Sequence, residues 1–290
     1  MDLEQLIGSP PCAADLRREI MSLREQYRGQ GLHVFSAGKS TGGRNILAMG
    51  LGDVRGAPMY VSGVHGGDWL ATLVLLRFVR ALLESRQTGV PFAGMDLSAL
   101  QSDVRLLVVP CLNPDGLELF LHGAGAAGHL SGFVRGLWRK DTPWQANLRG
   151  VDLAKNFDCG WRQTGSPSPK GSSGCKPFSE PESRCIANLC AGVGPRSLYL
   201  LGRGKEEFSC RCGAIAPPKA ALMGQLLASA CGSRPAPCRE PQGCLTEWFI
   251  RNANRPAFGI YTGSTTPDIL AELEPVFARL AEALVLGLVM

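Results

Sequence analysis

The chain has 290 residues, of which 45% are hydrophobic and 19% are charged. This composition is too apolar and too weakly charged for a disordered protein, and no run of about eighteen apolar residues indicates a membrane span. The formal net charge of +5 is too small to indicate nucleic-acid binding. The length fits one large domain or two small ones with a substantial buried core.

The N-terminal residues and the cysteines bear on the cellular compartment. The chain begins MDLEQLIGSPPC, with early acidic residues and no positively charged start before an apolar core, so no signal peptide is predicted. None of the 11 cysteines form a C-x-x-C pair, and Cys210 and Cys212 supply only half of a tetrahedral metal site. We therefore expect reduced thiols and a cytoplasmic location.

Helical and extended patterns alternate along the chain and indicate α/β layering with a largely parallel or mixed sheet. Without repeats or clear linkers, we expect a single domain over 1–290, with 1–30 as an N-terminal helical extension. Two stretches, 120–147 and 163–184, are predicted to be irregular, and the second is long enough for a functional rim. In chain order the patterns predict a helix (13–29), two hairpin strands (33–38, 44–52), a strand (57–64), a helix (68–85), strands (104–110, 197–202), a helix (218–230), a strand (257–263) and a helix (267–288).

Polar motifs follow two of the predicted strands. In GVHGGD, His65 and Asp68 stand three residues apart at a strand-to-helix turn, where both can point at one metal ion. The motif is short, and the alternative is a histidine whose ring is partly buried and hydrogen-bonded. The later motif, CLNPDG over 111–116, has strong turn chemistry at the end of a strand.

A third region combines cations with tryptophans. It contains WRK over 138–140 and WQANLRGVDLAKNF over 144–157. From Arg135 to Arg184 there are nine Lys and Arg against five Asp and Glu. A positive surface of this kind favours a carboxylate ligand or an oxyanion, and the alternative is a solvated surface loop with snorkelling side chains.

These motifs, in this order and spacing, resemble the zinc metallocarboxypeptidase family (carboxypeptidase A-like). The bacterial branch that cleaves γ-D-glutamyl–diamino acid links of peptidoglycan stem peptides is most similar. The resemblance extends from about Ser36 to Gly263 and includes LYLLGRGKEEF, CLTEWFI and RPAFGIYTG. It implies a three-layer α/β/α sandwich around a mixed sheet of roughly eight strands, with one zinc ion at the carboxyl edge.

The resemblance also implies that the metal and general-base positions are altered. His65 and Asp68 occupy the family's first ligand pair, His-x-x-Glu, with a carboxylate one methylene shorter. Leu201 occupies the position of the third ligand, a histidine, and cannot coordinate zinc. Tyr261 occupies the position of the catalytic glutamate, and a phenol with a pKa of ~10 does not take a proton from metal-bound water. We expect zinc to be weakly held or absent and most peptidase activity to be lost.

The family's carboxylate-binding positions keep their positive charge. Lys155 occupies the place of an arginine that grips the substrate's terminal carboxylate, and Arg139 and Arg149 both remain candidates for the oxyanion arginine. The resemblance thus predicts a protein that binds a peptide or a carboxylate-terminated small ligand through these residues, with neither nucleic acid nor a membrane as partner.

Two alternatives stay open. An active zinc carboxypeptidase or γ-D-glutamyl–diamino acid peptidase would need a rearranged metal site, with His122, His129, or Cys210 and Cys212 in place of the missing histidine. A structural or regulatory subunit that pairs with an active relative would need neither metal nor ligand. Metal content separates the first alternative from the others, and ligand-induced stabilisation separates a binding protein from the second.

Overall fold

The computed structural model describes residues 10–95, 104–138, 142–204, 208–210, 217, 219–232, 235–236, 242–263 and 272–290, with backbone alone at 208–210 and 235–236. Its helices are α1 (Ala13–Gln26), α2 (Trp69–Thr88), α3 (Pro114–His122), α4 (Ser131–Leu137), α5 (Pro181–Val193), α6 (Ala220–Ala230), α7 (Leu245–Ala253) and α8 (Leu273–Val289). Its strands are β1 (Leu32–Lys39), β2 (Asn45–Leu51), β3 (Met59–Val61), β4 (Leu106–Val109), β5 (Leu198–Gly202), β6 (Phe208–Cys210), β7 (Pro235–Ala236) and β8 (Ala257–Tyr261).

The strands form one mixed sheet of eight strands in the order β1-β2-β4-β3-β5-β8-β6-β7, and six of them have described side chains. Strands β4, β3, β5 and β8 are parallel neighbours. On either side of them, β2 is antiparallel to β4 and β6 is antiparallel to β8. Because the four central strands are parallel, their carboxyl ends meet at one edge of the sheet, where α/β proteins place ligands.

Helices cover both faces of the sheet. One apolar cluster joins α1, α2, α6 and α8 to Tyr60 and Tyr199, and a second joins α5 and α7 to Met59, Val61 and Leu198. Successive residues of β3 point to opposite faces, and all three are fully buried because both faces are covered. The predicted α/β/α sandwich is confirmed.

The N-terminal helix is packed onto this core. Leu16, Ile20 and Leu23 of α1 are buried in the same cluster as α2 and α8. Beneath them, the carboxylate of Glu19 accepts a 2.7 Å hydrogen bond from the guanidinium of Arg80 on α2. The apolar face of α1, in the described part of the predicted extension, therefore belongs to the main hydrophobic core.

The main differences from the predicted elements are helices that begin at proline. The predicted NPDG turn is the first turn of α3: Asn113 caps the helix by accepting a 2.8 Å hydrogen bond from the backbone of Gly116, and Pro114 follows it. Likewise, α5 begins at Pro181, inside the stretch predicted to be irregular. Proline interrupts helices elsewhere but is favourable at the first helical position, where its missing N–H is not needed.

Other predictions of irregular structure are also wrong. The segment 120–147 contains the end of α3, a 3₁₀ segment (Gly123–Leu130) and α4, and α7 lies where no helix is predicted. The predicted positions 218 and 267–271 lie outside the described residues.

Within those that are described, no helix has the length and apolarity needed to cross a bilayer. The structure records no disulfide among the eight cysteines with described side chains.

Candidate functional site

A cavity of about 260 Å³ opens where β3, β5 and β8 end. Its wall combines aliphatic side chains with a histidine, two carboxylates and an arginine. The lining residues are Val64, His65, Asp68, Asp152, Ala154, Leu200, Leu201, Gly202, Arg203, Cys244, Leu245 and Tyr261.

His65 and Asp68 face each other on the turn between β3 and α2. The Nδ1 atom of His65 lies 3.5 Å from Oδ2 of Asp68. Asp68 is only 2% exposed, and backbone N–H groups hold its carboxylate: His65 donates to Oδ2 at 2.8 Å and Arg203 donates to Oδ1 at 3.0 Å. The turn therefore brings together, in a fixed orientation, the two side chains that the sequence predicts as metal ligands.

The other ring nitrogen of His65 contacts Asp152. Nε2 lies 3.1 Å from Oδ1 of Asp152, and Lys155 lies 2.8 Å from Oδ2 of the same carboxylate. Burial opposes protonation of His65, but its hydrogen bonds and charge interactions with Asp152 and Asp68 outweigh burial and raise its pKa well above the usual value. Burial also acts against the Asp152 anion, but His65 and Lys155 lower the pKa of Asp152 to about 2. The raised pKa favours the protonated form of His65 between the two carboxylates.

Leu201 and Tyr261 occupy the ends of β5 and β8. Leu201 is fully buried and belongs to the apolar cluster beneath the cavity. Tyr261 is half-buried and pairs in register with Gly202. Its ring packs so closely over Gly204 that a Cβ atom there would lie 2.9 Å from Cδ1 of the ring. The cavity floor is thus hydrocarbon and phenol where the resemblance implies a histidine and a glutamate.

Buried amide groups tie the motif loops together. The side-chain nitrogen of Asn113 donates to the backbone oxygens of Val64 (3.1 Å) and Ala146 (3.2 Å). Since its oxygen also caps α3, this one side chain connects all three motifs. Asn147 extends the connection by donating to Glu180 at 2.7 Å. These contacts explain in structural terms why the three motifs occur together.

Replacing Gly66 with alanine is expected to lower the free energy of unfolding by about 3 kcal/mol or more. A Cβ atom there would clash with the backbone oxygen of Gly116 and lie 2.6 Å from that of Trp144, and neither oxygen can rotate away. Urea unfolding measures the change. The matched control is Gly132→Ala in α4, where the space is open and the substitution should be neutral or slightly stabilising. Equal stability of the two variants would contradict this packing.

The predicted cations take different positions. Lys155 is held by Asp152 beside the cavity. Arg149 does not line the cavity: its guanidinium lies 3.8 Å from the carboxylate of Glu180, and its side chain is 57% exposed. Arg139 lies outside the described residues. The choice between Arg139 and Arg149 as oxyanion arginine therefore stays a prediction.

The substitute ligands proposed for an active enzyme are not at the cavity in the part of the chain that is described. His122 ends α3, where it lies 4.0 Å from Glu118. His129 is exposed in the 3₁₀ segment. The side chain of Cys210 and all of Cys212 lie outside the described residues. Neither histidine replaces the one missing at Leu201.

Asp152 is the site residue that sequence reasoning did not assign. It stands in the RGVDL motif, where its side chain also caps the short 3₁₀ turn of Leu153–Lys155 by accepting from Ala154 at 3.0 Å. An aspartate that caps a short turn is a signal of local structure only. Its contact with His65 depends on the tertiary fold.

The zinc carboxypeptidase (peptidase M14) family matches this chain over residues 18–205, which is more than half of its length. The chain belongs to this family.

Similarity to individual members is weaker. The chain is 24% identical over 246 residues to γ-D-glutamyl-L-diamino acid endopeptidase 1 of Lysinibacillus sphaericus, which covers 79% of this chain and 60% of that protein. It is 32% identical over 153 residues to the uncharacterised YqgT of Bacillus subtilis, covering 50% of this chain and 40% of that one. The chain thus spans less than two thirds of these relatives. Carboxypeptidase A from Helicoverpa armigera has the same fold, with a TM-score of 0.73 at 17% identity over 97% of this chain and 73% of that one.

The cofactor of this family is zinc, and the side chains of the cavity differ from the ligands that a zinc ion requires. A catalytic zinc takes three protein ligands and keeps one open position. Here His65 and Asp68 offer two ligand atoms, and Asp152 contacts the other ring nitrogen of the histidine, as carboxylates that orient metal-binding histidines do. The third position is the buried hydrocarbon of Leu201. The described donors therefore do not fit a three-ligand zinc site.

Proposed function

We propose that this member of the zinc carboxypeptidase family has lost most peptidase activity and binds the carboxylate end of a peptide in the cavity. The observation that carries the proposal is the closed network of His65, Asp68, Asp152 and Lys155 above a leucine. It satisfies the remaining polar groups with one another, so the cavity persists without a third metal ligand or a carboxylate base.

The charges around the cavity favour an anionic ligand. Three groups are cationic: His65, whose pKa is raised, Lys155, and Arg203 at the exposed rim. They outnumber the carboxylates of Asp68 and Asp152 by one. Since opposing charges cancel within the network, Arg203 is the cation best placed for a ligand, and it provides the bidentate geometry that suits a carboxylate.

The peptide class follows from the family relationship. A relative is a γ-D-glutamyl-L-diamino acid endopeptidase, and the aliphatic wall formed by Val64, Leu200 and Leu245 suits the non-polar part of a short peptide. We take a γ-D-glutamyl–diamino acid peptide as the first probe.

The test compares this peptide with its C-terminal amide, using calorimetric titration and chromatographic assay of hydrolysis with added zinc. We expect binding of the free acid, binding at least about tenfold weaker for the amide, and no hydrolysis, because a charge-assisted hydrogen bond contributes about 1.5–3 kcal/mol. Arg203→Gln should weaken binding by a similar factor. Arg251→Gln, an exposed arginine paired with Glu247 on α7, is the matched control.

Each other outcome contradicts a defined part of the proposal. Zinc-dependent hydrolysis would show an active enzyme with a rearranged metal site. Equal affinity for acid and amide would reject carboxylate recognition. Failure of both to bind would reject the binding function and favour the structural or regulatory subunit. Lys155→Met and Arg149→Gln, measured in parallel, decide which predicted cation contributes.

A further inference from the structure

Three side chains of different chemistry converge outside the cavity described above. The thiol of Cys12, the carboxylate of Glu118 and the imidazole of His122 place ligand atoms within 4.8 Å of one another. Glu118 and His122 are four residues apart on α3, a spacing that puts both on one face of the helix. Cys12 comes from the N-terminus of α1, so two separate elements build the cluster.

Neighbouring groups hold the cysteine and the carboxylate in place: burial and a hydrogen bond with Asp15 raise the pKa of the Cys12 thiol, so a bound metal must displace its proton. Oε1 of Glu118 accepts a 2.8 Å hydrogen bond from the backbone of Ala13, which fixes the carboxylate. Its Oε2 faces Nε2 of His122 at 4.0 Å. Cys12 and Glu118 are partly exposed, and the side chain of His122 is 56% exposed. An ion can therefore reach the three ligand atoms from solvent.

We propose that Cys12, Glu118 and His122 form a binding site for a divalent zinc-type metal ion. One thiolate, one imidazole and one carboxylate match the ligand set that zinc takes, whereas calcium and magnesium prefer oxygen donors alone. On binding, the Cys12 thiol forms the sulfur–metal bond and releases its proton to solvent. The fourth position is left to water. This site is independent of the proposed function.

The surroundings suggest what such an ion does. Cys12 and Glu118 border a cavity of about 470 Å³ between α1 and the β1–β2 hairpin. Two arginines line the same cavity: Arg44 is paired with Asp115 at 2.5 Å, and Arg17 is exposed to solvent. A metal ion would link the start of α1 to the end of α3 and stabilise the docking of the N-terminal helix by mass action.

Cobalt titration of the full chain under a non-thiol reductant tests the site, because a thiolate ligand gives a sulfur-to-cobalt charge-transfer band. We expect the band, its loss on zinc addition, and a rise in melting temperature with zinc. Cys12→Ser keeps a side chain that caps α1 but should abolish the band, and His122→Gln should weaken metal binding at least about tenfold.

Two control variants locate the bound ion. Cys175→Ser removes an exposed cysteine elsewhere, and His65→Gln removes a donor of the family's metal position; both should keep the cobalt band. Absence of the band in the parent chain, or its persistence in Cys12→Ser, would reject the site. Loss of the band in His65→Gln alone would place the metal in the other cavity and would also contradict the proposed function.

Discussion

Replacing Leu201 with histidine and Asp68 with glutamate together is expected to raise zinc affinity at the family's metal position at least about a hundredfold. Two features prepare the position: Nδ1 of His65 already faces the carboxylate of residue 68, and Asp152 orients the ring. Losing an outer partner of a metal ligand changes affinity about 10–100-fold, so gaining a direct ligand should have a larger effect.

Zinc bound by Cys12, Glu118 and His122 would interfere with this measurement. Zinc content and competition titration should be done with Cys12→Ser in both the parent and the repaired chain. Leu201→Asn in place of the histidine is the matched control, because it adds polarity of similar size without an imidazole. If the asparagine variant binds zinc equally well, or the histidine variant binds no better than the parent, the assignment of the ligand position to Leu201 is wrong.

Restoring peptide hydrolysis requires a general base in addition to zinc. With zinc restored, the chain still has Tyr261 where a general base is needed, and a phenol is a poor proton acceptor at neutral pH. We therefore expect peptide cleavage only after Tyr261→Glu is added. Cleavage by the zinc-loaded variant that retains Tyr261 would show that another residue serves as base.

Removing the carboxylate of Glu19 is expected to lower the free energy of unfolding by about 3–5 kcal/mol. Glu19 is fully buried, and the side chain of its partner Arg80 is 10% exposed. Glu19→Ala leaves the guanidinium buried without this carboxylate, which is far more costly than the loss of one attraction between solvated charges. Urea unfolding monitored by circular dichroism measures the loss.

Two further variants separate charge burial from packing. Glu19→Leu with Arg80→Leu removes both charges and should recover most of the stability. Glu25→Ala, on the same helix, breaks an exposed ion pair with Arg28 and should cost less than about 1 kcal/mol. If Glu19→Ala is no more destabilising than Glu25→Ala, α1 does not depend on the buried pair.

Features that depend on neighbouring residues in the chain are the ones that the sequence predicts. Alternating α and β elements are predictable because the strands and most helices bury apolar residues at a regular spacing within a few residues of chain. The three-layer α/β/α arrangement is what the family resemblance implies. That His65 and Asp68 face one point is also predictable, because they stand three residues apart on one tight turn. Conversely, α3 and α5 were missed because proline and glycine are read as helix breakers until their place in the first turn is known.

The sequence by itself determined the fold family, the paired donors at residues 65 and 68, and the absence of a histidine at Leu201, since these depend on local pattern or on motif order. Only the tertiary structure decided that Asp152, 87 residues away, holds His65, that Arg149 points to Glu180 instead of the cavity, and that Cys12 meets Glu118 and His122. The physical reason is that such contacts arise where separate helices, strands and loops pack together, and no local spacing encodes which side chains that packing brings within a few ångströms.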